Sequence, residues 1–152
     1  MVFFGRSDVG LRRQINQDCF SCMRIWGGEA VLLAVCDGMG GHKAGEIASQ
    51  KAMAVFCDKI VGSPCIEEQP EKARAAIRKT MTLAASAANR TVYEMSSRFE
   101  ELAGMGTTLV AAIVYGGVLY AINIGDSRAY IVTRREAFQK TRDHSFVQYL
   151  IK

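Results

Sequence analysis

Two stretches of the 152-residue chain end an apolar run on an aspartate next to glycine. In AVCDGMGGHKAGEIAS, residues 34–49, the run stops at Asp37, and Gly38, Gly40, Gly41 and Gly45 follow. In NIGDSRAY, residues 123–130, Asp126 comes straight after Gly125. A carboxylate at a strand end projects from the rim of a sheet. Gly38 has no Cβ, so its carbonyl can approach a ligand closely. A carboxylate beside a main-chain carbonyl is hard-oxygen ligation, suited to Mg²⁺ or Mn²⁺. The same residues also fit a tight strand-to-helix turn in which Asp37 caps the helix. A third group lies in DVGLRRQINQDCF, where Arg12, Arg13, Asn16 and Asp18 crowd the link between the first strands. The donor fork of an arginine matches a phosphate. Together these positions could build a metal-plus-phosphate site.

Other chemistries fail on spacing. Counting from Gly38, the sixth position of a dinucleotide fingerprint is Lys43 rather than glycine. A phosphate-binding P-loop needs Gly-Lys followed by Ser or Thr, which is absent. Cys19 and Cys22 form a C-x-x-C in a strand-like stretch, where an offset of three points the side chains to opposite faces. No second pair exists to close a tetrahedral zinc site.

The elements that must carry these residues are legible from periodicity. MVFFGRSD, CFSCMRIW and AVLLAVCD read as strands. Residues 44–57 read as a helix, with Ile47, Ala48, Ala52, Val55 and Phe56 at helical spacing. A loop over 58–70 leads to a long helix that opens on Pro70 and Glu71. Its apolar stripe runs Ala73, Ile77, Met81, Ala84, Ala88, Val92, Met95, Phe99 and Leu102, and Gly104 is a plausible stop. Two apolar runs then meet at Gly116-Gly117, a hairpin signal. The run 118–124 is apolar on both alternating faces, so it is expected inside a layered structure, covered on both sides. RREAF reads as a further turn, and a helix is expected from Ser145. The order of strands, two helices, then strands predicts an α+β fold with mostly antiparallel sheets.

Composition is that of one globular domain. Apolar residues make up 49 % and charged residues 22 %, and the net charge of +4 is scattered rather than clustered. This charge makes no case for nucleic acid. No apolar run approaches a membrane span and the N-terminus lacks signal-peptide features, so no membrane association and a cytoplasmic location are expected. Five irregularly spaced cysteines fit free thiols.

Four segments carry a resemblance: SDVGLRRQINQD, DGMGGHKAGEIAS, GMGTTLVAAIVYGGVLYAINIGDSRAYI and TRDHSFVQYL. In this order and spacing they resemble the bacterial branch of the metal-dependent protein serine/threonine phosphatases, the type 2C or PPM family. The resemblance covers nearly the whole chain. It implies an antiparallel β-sandwich flanked by helices, with residues 1–152 forming the N-terminal portion of the catalytic domain. It implies hydrolysis of phosphoserine or phosphothreonine on a phosphoprotein, by a hydroxide bridging two Mg²⁺ or Mn²⁺ ions. Asp37 matches the carboxylate that bridges both ions, Gly38 the carbonyl ligand, Asp126 the ligand of a third ion, and Arg13 the phosphate-holding arginine.

The departures are specific. Gln17 stands where the family usually has a glutamate, so it would offer a neutral oxygen to a metal. Asp18, Asn16 and His42 would surround the ligands without joining them. Met39 replaces a histidine proposed as general acid in animal relatives, which makes His42 a candidate for proton transfer; His144 lies farther along. Two further metal-binding aspartates belong to a second half of the domain that lies beyond this chain's motifs. Asp143 matches neither of them. Their absence implies weak or no catalysis by the chain alone, with a non-catalytic binding module as the alternative. Sheet edges left open would invite dimerisation.

Overall fold

The structure is a computed structural model that describes residues 1–41, 43–65, 67 and 69–145. Among these residues it is α+β, with antiparallel sheets and two α-helices. The main sheet contains β1 (Asp18–Ile25), β2 (Ala30–Met39), β3 (Gly106–Thr107), β4 (Leu109–Tyr115) and β5 (Val118–Ile124). Its order is β1-β2-β4-β5, and the two-residue β3 extends β2 beyond the end of β4. A separate hairpin joins β6 (Tyr130–Val132) to β7 (Ala137–Gln139). The helices α1 (Ala44–Val61) and α2 (Pro70–Arg98) lie between these strands in sequence.

The main sheet has two unlike faces. Ala30, Leu32, Ala34 and Cys36 of β2 alternate inward and are buried under the helices, as are Leu109, Ala111 and Ile113 of β4. Phe56 and Ile60 of α1 and Ile77 and Met81 of α2 close this core. The opposite face presents Phe20, Leu33, Val35, Val110 and Leu119 toward Tyr130 and Ile131 of the hairpin, across a cavity of about 430 Å³. Asp18 and Asp37 belong by alternation to this second face and lie at its end.

Several expectations are met. The Gly116-Gly117 turn has φ of 55° and 74°, the left-handed pair that a two-residue hairpin requires. Pro70 opens α2, and the predicted stripe is buried from Ala73 to Val92. Cys19 packs against the helix-covered core and Cys22 lines the cavity, and all five cysteines are free.

Others are corrected. Residues 1–9 form no strand. Helix α1 continues four residues past the predicted end, because Ile60 is buried in the core. Helix α2 ends at Arg98; Leu102 reaches the core from a short 3-10 turn instead. Among the described residues strand β5 pairs with β4 alone, and Leu119 is 48 % exposed. Its two-faced apolarity therefore marks surface left open within the described residues. The helix predicted from Ser145 lies outside the described residues. No described helix is long and apolar enough to cross a membrane.

Candidate functional site

The site is built on the end of β2. Asp18 of β1 and Asp37 of β2 are register partners. The Gly38 N–H donates to the Gln17 carbonyl at 3.1 Å, so the neighbouring Asp18–Asp37 pair falls in the close, non-hydrogen-bonded position. Such partners have Cα atoms about 4.5 Å apart and side chains side by side. The Asp37 carboxyl is held above the ordinary carboxylate range. Partial loss of hydration at the sheet end comes first, then the negative charge of Asp18 and a hydrogen bond that the protonated acid makes to it. Asp126 pushes the same way, and only the Arg13 guanidinium opposes. The fold thus brings Asp18, Arg13 and Asp126, which are scattered over more than a hundred positions, within electrostatic reach of one carboxylate.

The main chain of Asp37 is fastened by two threonines. Its carbonyl accepts from the Thr108 N–H at 2.9 Å and the Thr107 hydroxyl at 3.0 Å. Its N–H donates to Thr108 Oγ1 at 2.9 Å. Neither threonine stands out by residue type; the signal for both is the GTT run before an apolar strand, opposite an acidic strand end.

The glycines serve packing as much as ligation. A Cβ on Gly38 would lie 2.0 Å from the Gly45 carbonyl oxygen, so bare backbone is what lets the start of α1 sit against β2. A Cβ on Gly45 would lie 2.8 Å from the Gln17 carboxamide carbon. Gln17 is accordingly turned into this junction, where its Nε2 donates to the Gly40 carbonyl at 3.4 Å. Asn16 Oδ1 accepts from the Asp18 N–H at 3.0 Å, and its Nδ2 donates to Ser7 Oγ at 2.6 Å, bracing the approach to Asp18. Helix α1 starts from Lys43 with no side-chain cap, so Asp37 does not cap it. His42 lies outside the described residues.

A second polar knot holds the turn that carries Asp126. Arg128 donates to both carboxylate oxygens of Asp143, with Nη2 to Oδ2 at 2.6 Å. The Asn123 amide donates to the carbonyls of Gly125 at 3.2 Å and Arg142 at 2.9 Å. The His144 N–H donates to the Gly125 carbonyl at 2.8 Å. Asp143 and His144 therefore brace the Asp126 turn through their main chain and an ion pair.

The donor chemistry fits a hard divalent ion. Two facing carboxylates that raise the proton affinity of one of them are relieved by a cation between them, and carboxylate oxygens suit a hard ion. Among the described residues no three His, Cys, Asp or Glu side chains converge as a metal centre.

Relatives share this arrangement of elements. A family model described as Protein phosphatase 2C matches residues 11–148. The chain is 38 % identical over 152 residues to the serine/threonine protein phosphatase PstP of Mycobacterium tuberculosis, covering 98 % of this chain and 26 % of that protein. It is 33 % identical over 147 residues to the serine/threonine phosphatase stp of Listeria monocytogenes, covering 97 % and 56 %. A solved serine/threonine phosphatase of S. agalactiae superposes with a TM-score of 0.81 at 33 % identity, covering 95 % of this chain and 56 % of that one. The catalytic domain of PstP in complex with two manganese ions superposes with a TM-score of 0.76 at 35 % identity, covering 96 % and 57 %. The chain thus spans between about a quarter and about half of the length of these relatives. With matched residues running almost end to end, the chain belongs to the protein phosphatase 2C family.

Proposed function

We propose that residues 1–152 form the N-terminal portion of a divalent-metal-dependent protein serine/threonine phosphatase domain. The observation that carries this is the facing pair Asp18–Asp37, with Arg13 and Asp126 acting on the same carboxyl. Asp37 and the Gly38 carbonyl would hold Mg²⁺ or Mn²⁺, and Asp126 would hold a further ion. A bound ion supplies Lewis-acid charge and an activated water for attack on phosphorus. Arg13 pairs with the phosphate of a phosphoserine or phosphothreonine and orients it. Gln17 would offer its neutral amide oxygen from the Gly40–Gly45 junction, and Asp18, whose side chain shares a face with Asp37, stands beside that carboxylate. Asn16 braces Asp18. His42 keeps its proposed place as a proton-transfer candidate. The substrate is a phosphoprotein, the product of a serine/threonine kinase, and five free cysteines fit a cytoplasmic setting.

One observation favours a second reading for this chain taken alone. Asp18, Asp37 and Asp126 do not close a three-acid centre among the described residues, which suits a binding module of the same fold with weak or no turnover. An open β5 edge makes self-association the form such a module would take. The deciding experiment is turnover of a phosphothreonine peptide against Mn²⁺ concentration, with Asp37→Ala beside the parent chain. Mn²⁺-dependent turnover lost in the variant supports the enzyme. Mn²⁺ binding without turnover at any concentration supports the module, and turnover that survives Asp37→Ala overturns the metal assignment.

A further inference from the structure

We propose that Thr108 is a positioning residue that couples Asp37 to the Asp126 turn, so that one buried hydroxyl sets the spacing of two carboxylates. The proposal rests on the metal-site reading above and adds to it a residue that contacts neither ion nor substrate.

The hydrogen-bond pattern of the sheet breaks at Thr108, which lies between β3 and β4. The Thr108 N–H still donates to the Asp37 carbonyl at 2.9 Å in the ladder position. The return bond does not go to the Thr108 carbonyl. That oxygen accepts from the Thr107 hydroxyl at 3.0 Å, and the Asp37 N–H donates to Thr108 Oγ1 at 2.9 Å. The side chain has replaced a main-chain acceptor directly beneath the acidic strand end. The same Oγ1 lies 2.7 Å from Ser127 Oγ. One hydroxyl therefore joins the backbone of Asp37 to the residue after Asp126.

The methyl of Thr108 meets the residue before it. Gly125 has φ of 99°, and a Cβ there would lie 2.7 Å from Thr108 Cγ2. Asp126 is thus bracketed, through Gly125 on one side and Ser127 on the other, by a single side chain that is 4 % exposed. Burial matters because no water competes for the hydroxyl, so its two partners hold a fixed separation. The two halves of the side chain can be separated: valine keeps the methyl contact and loses the bridge, whereas serine keeps the bridge and loses the methyl.

The test uses the whole chain with Thr108→Val and Thr108→Ser, each alone and with Asp126→Asn. Mn²⁺ affinity is measured by calorimetry, and metal-free amide exchange and shifts by NMR. Thr108→Val should weaken Mn²⁺ binding by about tenfold, and Thr108→Ser should return it to within about threefold of the parent chain. Adding Asp126→Asn to Thr108→Val should cost less than about twofold more, because the two changes remove one coupling. Without metal, Thr108→Val should speed exchange at the Asp37 amide and shift the amides of Asp126 and Ser127. Unaltered Mn²⁺ affinity in Thr108→Val, or effects that multiply with Asp126→Asn, would overturn the positioning role while leaving the metal site standing. A parent chain that binds no Mn²⁺ would overturn the metal-site reading and the affinity coupling with it. The amide data would then separately decide whether Thr108 holds the two segments together.

Discussion

Asp18 and Asp37 face each other directly across the β1–β2 pair, two like charges in a close cross-strand position. Opposite like charges destabilise a sheet, and a cation between them reverses the sign. Asp18→Asn should therefore stabilise the metal-free chain at neutral pH by about 0.5 kcal/mol. The same change should shrink the gain in melting temperature that Mn²⁺ gives the parent chain. The sign with pH follows from the raised Asp37 carboxyl. A raised folded-state value contributes stability below the ordinary carboxylate range, and that contribution is lost as pH rises through the raised value. Melting temperatures of both chains with and without Mn²⁺ test this. Equal responses to Mn²⁺ would remove Asp18 from the site.

Gly38 is where β2 touches α1. An added Cβ would lie 2.0 Å from the Gly45 carbonyl oxygen, a main-chain atom that cannot swing aside. Gly38→Ala should cost about 3 kcal/mol or more, since helix and strand must separate to admit one methyl. Urea unfolding measures the loss. A cost below about 1 kcal/mol would mean that the junction is looser than this packing requires.

The Arg128–Asp143 pair holds the Asp143 carboxyl below its ordinary range, with the hydrogen bonds from Arg128 as the largest cause. A lowered value contributes stability that is present above the ordinary carboxylate range and lost as pH falls through the lowered one. Asp143→Asn should therefore flatten the acid limb of the stability curve and leave the parent and variant alike at the lowest pH. Denaturation midpoints between neutral and acid pH give the comparison. A parallel offset at every pH would show that the pair contributes packing rather than charge.

Asn123 Oδ1 is buried and has no hydrogen-bond partner among the described residues, while Nδ2 serves the carbonyls of Gly125 and Arg142. Asn123→Asp would place charge on that buried oxygen and turn a second oxygen toward two carbonyls. It should cost about 3 kcal/mol, and Asn123→Ala less, because an unpaired buried charge is worse than a lost donor. Both should speed exchange of the His144 amide, whose partner is the Gly125 carbonyl. Equal costs for the two variants would count against this account.

Much of the architecture could be read from residue order. Helical spacing in 70–98 and the Gly116-Gly117 pair are local signals, since propensity, turn chemistry and the alternation of a strand act over a few neighbouring residues. The same local logic put Asp37 and Asp126 at strand ends, and the family resemblance singled out Arg13 from the Arg12–Arg13 pair. It failed where burial depends on distant partners. Residues 1–8 have strand composition yet join no sheet, and β5 is apolar on both faces yet lies at an edge of the described sheet.

By itself, then, the sequence determined the family, the order of helices and strands, and the acidic positions. Tertiary structure alone decided that Asp18 rather than Gln17 faces Asp37, because strand register sends adjacent residues to opposite faces. It alone decided that Gly38 is bare to admit Gly45, and that Thr108 bridges two acidic segments. Each of these is a contact that residue order does not set, and its spacing exists only once the strands and the helix have packed together.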